Sequence, residues 1–114
     1  MDFQEYLRLR CVQMVQMERD LHGLYDDMAR ETSTPWLVTA FLARAAHTHE
    51  RVAHLETLAS DLGGMSGPAD NPLSRGALAM HQRWMETHPP RPVVDLHNAD
   101  ASVAISGMIL PLYQ

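Results

Sequence analysis

Apolar residues recur along the first quarter of the chain with spacings that alternate between four and three: Leu7, Cys11, Met14, then Leu21, Tyr25 and Met28. That unbroken heptad-type seam predicts one helix over residues 3–31, ~42 Å long at 1.5 Å per residue. Glu18 occupies the seam position between Met14 and Leu21, a carboxylate with apolar layers above and below it. Gly23 costs ~1 kcal/mol against alanine inside a helix, so it marks either a close backbone approach or simple tolerance.

Thr32-Ser33-Thr34-Pro35 ends this helix and starts the next, with Thr34 as the cap and Pro35 in a first position that needs no amide hydrogen. A second seam follows over 35–62 through Val38, Phe41, Ala45, Thr48, Val52, Leu55, Ala59 and Leu62. Two helices of near-equal length with so short a joint fold back as an antiparallel hairpin. A fold-back centred on Ser33 puts Glu18 level with Thr48, so the polar residues of the two seams share one layer. His47 and Arg51 border that layer, with Glu50 a turn away.

Gly63, Gly64, Gly67 and Pro68 make residues 63–71 a linker. Asn71-Pro72 is a second cap signal, and Leu73, Ala77, Met80 and Trp84 form the stripe of a third helix over 72–87. The proline-rich stretch 88–94 reads as an extended linker. Residues 95–110 read as a short helix or tail: Leu96, Ala99, Val103 and Ser106 or Leu110 suit a helix, which we favour over about 95–108. Val103-Ala104-Ile105 and Met108-Ile109-Leu110 suit a short strand instead. The expectation is an all-α single domain over 1–114, of four-helix-bundle type, completed by dimerisation because two short C-terminal elements cover only part of two long seams.

Composition narrows the partners. A net charge of −5, spread along 114 residues, argues against a general grip on nucleic acid or an anionic membrane and suits a basic partner or a metal cation. Cys11 is the single cysteine, no stretch has the layout of a signal peptide, and none approaches ~20 uninterrupted apolar residues, so the expected location is cytoplasmic.

Candidate chemistry gathers in the middle of the second helix, where His47, Glu50, Arg51 and His54 fall at i, i+3, i+4 and i+7 and line one strip that borders the apolar face. Carboxylates and imidazoles at mid-bundle are how helical folds build metal sites. Glu18 with His47, Glu50 and His54 is the candidate ligand set, His22 a further member, and iron, zinc or manganese the candidate ions. The rival reading pairs Glu18 with Arg51 as a structural ion pair. No catalytic motif appears: the glycine-rich linker lacks a phosphate-loop lysine, Cys11 lies in an apolar seam, and Met14, Met17, Met28, Met80 and Met85 read as core filler.

The runs Met17-Glu18-Arg19-Asp20-Leu21, Met28-Ala29, Ser33-Thr34-Pro35-Trp36-Leu37 with Phe41, then Thr48, Arg51-Val52-Ala53-His54-Leu55-Glu56 and Leu62-Gly63 resemble the first hairpin of the YciE/YciF-like ferritin-like family. The likeness runs without a gap over residues 10–63. It implies a ferritin-like four-helix bundle with a carboxylate-bridged dinuclear metal centre and an association with stress responses. Glu18 matches the family's first-helix glutamate, whereas His47 stands where glutamate is usual. Asp95 and Tyr113 match the ends of the family's third bundle helix, but Ser106 and Ile109 replace its glutamates, and no fourth bundle helix follows. Two functions remain: a ferritin-like protein that binds or handles a transition metal at a degenerate site, or a metal-free helical interaction module of inhibitor or immunity type.

Overall fold

The computed structural model describes residues 1–109, with side chains through residue 107, so Leu110 and Tyr113 lie outside the described residues. It consists of four helices, α1 (Phe3–Glu31), α2 (Pro35–Asp61), α3 (Pro72–Met85) and α4 (Arg91–Ile109), with no strand among the described residues. The two long helices set an elongated shape of 50 × 23 × 21 Å. None of the helices is long and apolar enough to cross a membrane.

Helix α1 is the centre of the fold, since α2, α3 and α4 all pack on it. Its heptad seam is buried through Met14, Glu18, Leu21, Tyr25 and Met28, against Phe41 and Ala45 of α2. Val12, Val15, Met17 and Leu24 flank that seam and are buried as well, because α1 is covered on more than the one side a hairpin partner can reach. Asp2 caps α1 by accepting from the Glu5 amide at 2.7 Å. At the same end of the hairpin Arg8 donates to the carbonyls of Gly64 (3.0 Å) and Ser66, and so fastens the 63–71 linker to α1. Gly67 adopts φ +123° there, a backbone conformation that favours glycine, and a Cβ on it would come within 2.7 Å of Leu9 Cδ2 and push that side chain aside.

Three expectations are corrected. Helix α4 begins at Arg91, inside the stretch expected to be extended. The Pro90 carbonyl accepts from the Val93 and Val94 amides at 2.9 and 3.0 Å, and Pro92 falls in a first turn whose amides need no partner. The stripe expected to bury α3 does not do so: Leu73 and Met80 are exposed, Met80 by 74%, while Ser74 and His81 face inward. The reason is two polar anchors to α1, Ser74 Oγ donating to Asp20 Oδ2 at 2.8 Å and His81 Nε2 to Glu31 Oε1 at 2.7 Å. Helix α4 is likewise turned by about one residue. It buries Val94, Asp95, Asn98, Ser102 and Ile105 and leaves Leu96 and Val103 exposed.

Candidate functional site

The polar layer of the hairpin forms where the two seams meet. Glu18 and Thr48 are both fully buried. Arg51 reaches in from α2 and its Nε donates to Glu18 Oε1 at 3.0 Å, an ion pair with a buried acid and a half-exposed base. The Thr48 hydroxyl donates to the Ala45 carbonyl at 2.6 Å. His22 places Nδ1 2.9 Å from that carbonyl, so its Nδ1–H donates and the proton-free nitrogen of the neutral ring is Nε2. This layer therefore holds the acid, base and hydroxyl that the register placed together.

The other candidate ligands stand apart from it. His47, Glu50 and His54 are exposed. Residues Phe41, Ala45, Thr48 and Ala59 occupy the buried side of α2, and at 100° per residue the three ligands fall on the opposite side of the helix. The strip thus opposes the apolar face instead of bordering it, and Arg51 is the member that reaches Glu18. Among the described residues no three His, Cys, Asp or Glu side chains come together in a group that could hold a metal ion.

A second polar group, which the spacing did not reveal, lies between α1, α3 and α4. His81 is 5% exposed, hydrogen-bonded through Nε2 to Glu31, and its Nδ1 is buried with no hydrogen-bond partner. Asn98, fully buried, donates to Thr32 Oγ1 at 3.1 Å, while its own Oδ1 has no partner. His97 stacks on Trp84 with ring centroids 3.7 Å apart and 16° between planes, and on its other neighbour His81 at 5.8 Å. Its Nε2 is buried and unpartnered too. Burial, with the nearby His81 ring adding repulsion, holds the His97 pKa below the usual imidazole value, against a smaller pull from Asp100 and Glu31. His81, Trp84 and His97 are among the residues lining a groove of about 750 Å³ with apolar walls that include Leu24, Met28, Met80 and Ile105. His81 follows Met80 and so lies 100° off the apolar stripe, which is why periodicity pointed to the wrong face. Compared with protein-family models, with curated proteins and with solved structures, the chain has no significant match.

Proposed function

We propose that the chain is a helical interaction module that works by pairing α2 with α2 of a second copy. The observation that carries this is the outer side of α2, where Trp36, Ala43, His47, Glu50 and His54 are all exposed and follow heptad-type spacing. That strip is self-complementary. In an antiparallel pairing centred between residues 48 and 49, His47 of each copy meets Glu50 of the other, and Trp36 comes level with Asp61, from where its ring reaches back one turn to Leu58, itself 45% exposed. A tryptophan buries ~150–250 Å², so two such contacts supply apolar anchors at the ends and opposite charge in the middle.

The same strip supports a second reading, a transition-metal site of the ferritin-like kind shared between two copies. His47, Glu50 and His54 from each chain would offer nitrogen and carboxylate donors suited to zinc, iron or manganese about the two-fold axis. The likeness of residues 10–63 to the YciE/YciF-like hairpin, with its stress association, supports it. Glu18 falls outside that shared set because Arg51 engages its carboxylate from the far side of α2.

Light scattering and sedimentation test both readings. The pairing reading expects a dimer that Glu50→Lys converts to monomer and that the exchange His47→Glu with Glu50→His retains, since the exchange keeps the complementary pattern. A wild-type monomer at millimolar concentration overturns it. Titration with zinc, iron and manganese separates the second reading: saturable binding that strengthens the dimer, is lost in His47→Ala and weakens below pH ~6.5 supports a metal site. Unchanged dimerisation without saturable binding leaves the metal-free module.

A further inference from the structure

The flank of the hairpin carries a pair of imidazoles, one from each long helix. Arg19 and His22 of α1 fall three residues apart, and His49, Val52, Ala53 and Glu56 of α2 fall at i, i+3, i+4 and i+7, so each set shares one side of its helix. These six residues line a surface groove of about 460 Å³. The rings of His22 and His49 lie there with centroids 6.0 Å apart.

The two histidines differ in how they are held. His22 donates its Nδ1–H to the Ala45 carbonyl at 2.9 Å, with Thr48 Oγ1 at 3.3 Å a second acceptor for the same hydrogen. Such a bond to a backbone carbonyl is what fixes the tautomer and ring orientation of a metal-ligating histidine and raises its basicity. The lone pair of the neutral ring is then on Nε2. The buried side-chain atoms left without a partner include nitrogens of His81 and His97 but not His22 Nε2, which forms no hydrogen bond among the described residues and so has surface open to water. His49 is the adjustable member, since it is exposed and its χ angles are free to aim either ring nitrogen. An ion ~2.0–2.1 Å from one nitrogen of each ring holds the centroids at most ~6.5 Å apart, and the observed separation lies within that reach.

Glu56 does not join the pair. Its Oε1 accepts from Arg19 Nη2 at 2.5 Å, which balances the arginine charge beside the rings. What remains is two neutral nitrogens, fewer than the three or four protein donors of a structural ion, so water fills the other positions. Imidazole donors without a carboxylate favour nickel, copper and zinc over manganese, magnesium and calcium.

We infer that the groove on the flank of the hairpin holds a divalent ion of the nickel, copper or zinc type, bound by His22 Nε2 and a ring nitrogen of His49 and clipping α1 to α2. None of the lining residues belongs to the outer strip of α2, so the site rests on neither reading of that strip.

Calorimetric titration tests it. The full chain carrying His47→Ala and His54→Ala, both at exposed positions, lacks the imidazoles of the outer strip and keeps this pair. The expected result is saturable binding of nickel and of zinc at one ion per chain, manganese at least ten-fold weaker, and a melting temperature that rises with nickel. His49→Ala in this background should weaken nickel at least ten-fold and erase the rise, with unchanged far-UV circular dichroism. His22→Asn keeps a donor for the Ala45 carbonyl but drops Nε2, so it separates coordination from a merely structural histidine, and it should weaken nickel as far. His49→Ala, at an exposed position, carries the test should His22→Asn fail to fold. Manganese binding equal to nickel, or a folded His22→Asn or His49→Ala chain that binds as before, would each overturn the assignment. So would binding that the wild-type chain shows and the His47→Ala, His54→Ala chain lacks, which belongs to the outer strip, or no saturable binding in either.

Discussion

Asp95 accepts two hydrogen bonds from Thr34, one from its amide at 3.0 Å and one from its hydroxyl at 2.5 Å. The hydroxyl that was expected to cap α2 is thereby turned to α4, and Thr34 makes no side-chain cap bond of its own. Ser33 adds its amide at 2.9 Å and its hydroxyl at 2.8 Å. A carboxylate from the most distant helix in sequence thus sits just before the start of α2, where the helix dipole favours negative charge. It ties the first turn of the hairpin to α4.

Those hydrogen bonds, the Thr34 hydroxyl foremost and the Ser33 amide next, hold the Asp95 pKa at about 2 against an ordinary 3.8, despite the opposing effect of burial. A carboxyl whose pKa is depressed by folding adds stability above its unfolded value and loses it as pH falls toward the folded one. The contribution of Asp95 is therefore complete above pH ~4 and fades between pH ~4 and ~2. Asp95→Asn should lower the melting temperature at pH 7 and flatten the acid limb of the stability profile in that window. An acid limb identical to wild type would remove Asp95 from the account.

The Glu18–Arg51 pair predicts a non-additive cycle. Arg51→Met should cost about 2 kcal/mol, less than the 3–5 kcal/mol of a fully buried pair because Arg51 is half exposed to water. Glu18→Leu together with Arg51→Met should return stability to within ~1 kcal/mol of wild type, since packed apolar side chains replace a buried pair at little cost. Urea unfolding of the double variant at several kcal/mol below wild type would show that the carboxylate has a further task.

Gly23 lies inside α1, and a Cβ there would meet nothing within 4 Å. Of the two sequence readings, close approach and tolerance, the geometry selects tolerance. Gly23→Ala should raise stability by ~0.5–1 kcal/mol, read as a higher denaturation midpoint at unchanged slope. A loss of stability would mean that α1 meets a neighbour at this point.

The turned face of α3 predicts which methionines matter. Met80→Gln should change stability by no more than ~0.5 kcal/mol, as a surface substitution does. Met28→Ala, at a fully buried position, should cost ~2–5 kcal/mol. Comparable losses for the two would restore the periodicity-based placing of Met80 in the core.

The hairpin was legible from the chain alone because its information is local and repeated. Each of seven layers along α1 and α2 repeats the same spacing argument, so one exception, Glu18 opposite Thr48, leaves the seam intact and even marks the register. The all-helical class follows from the same periodicity. The start of α4 is not legible in the same way, because Pro89, Pro90 and Pro92 favour extended chain and are equally acceptable before or within a first turn.

What only the tertiary structure decided is how the short helices turn on their axes. Periodicity ranks the faces of α3 by apolarity and prefers the stripe from Leu73 to Trp84, but hydrogen bonds from Ser74 to Asp20 and from His81 to Glu31 join residues fifty or more positions apart, and no spacing rule contains them. The same holds for Asp95, whose partners Ser33 and Thr34 lie some sixty residues earlier. A heptad seam describes how one helix can be buried by any partner. Directional hydrogen bonds, a carboxylate at a helix start or an imidazole against an acid, choose the partner and the face, and they exist only once the chain has brought both ends of each bond together.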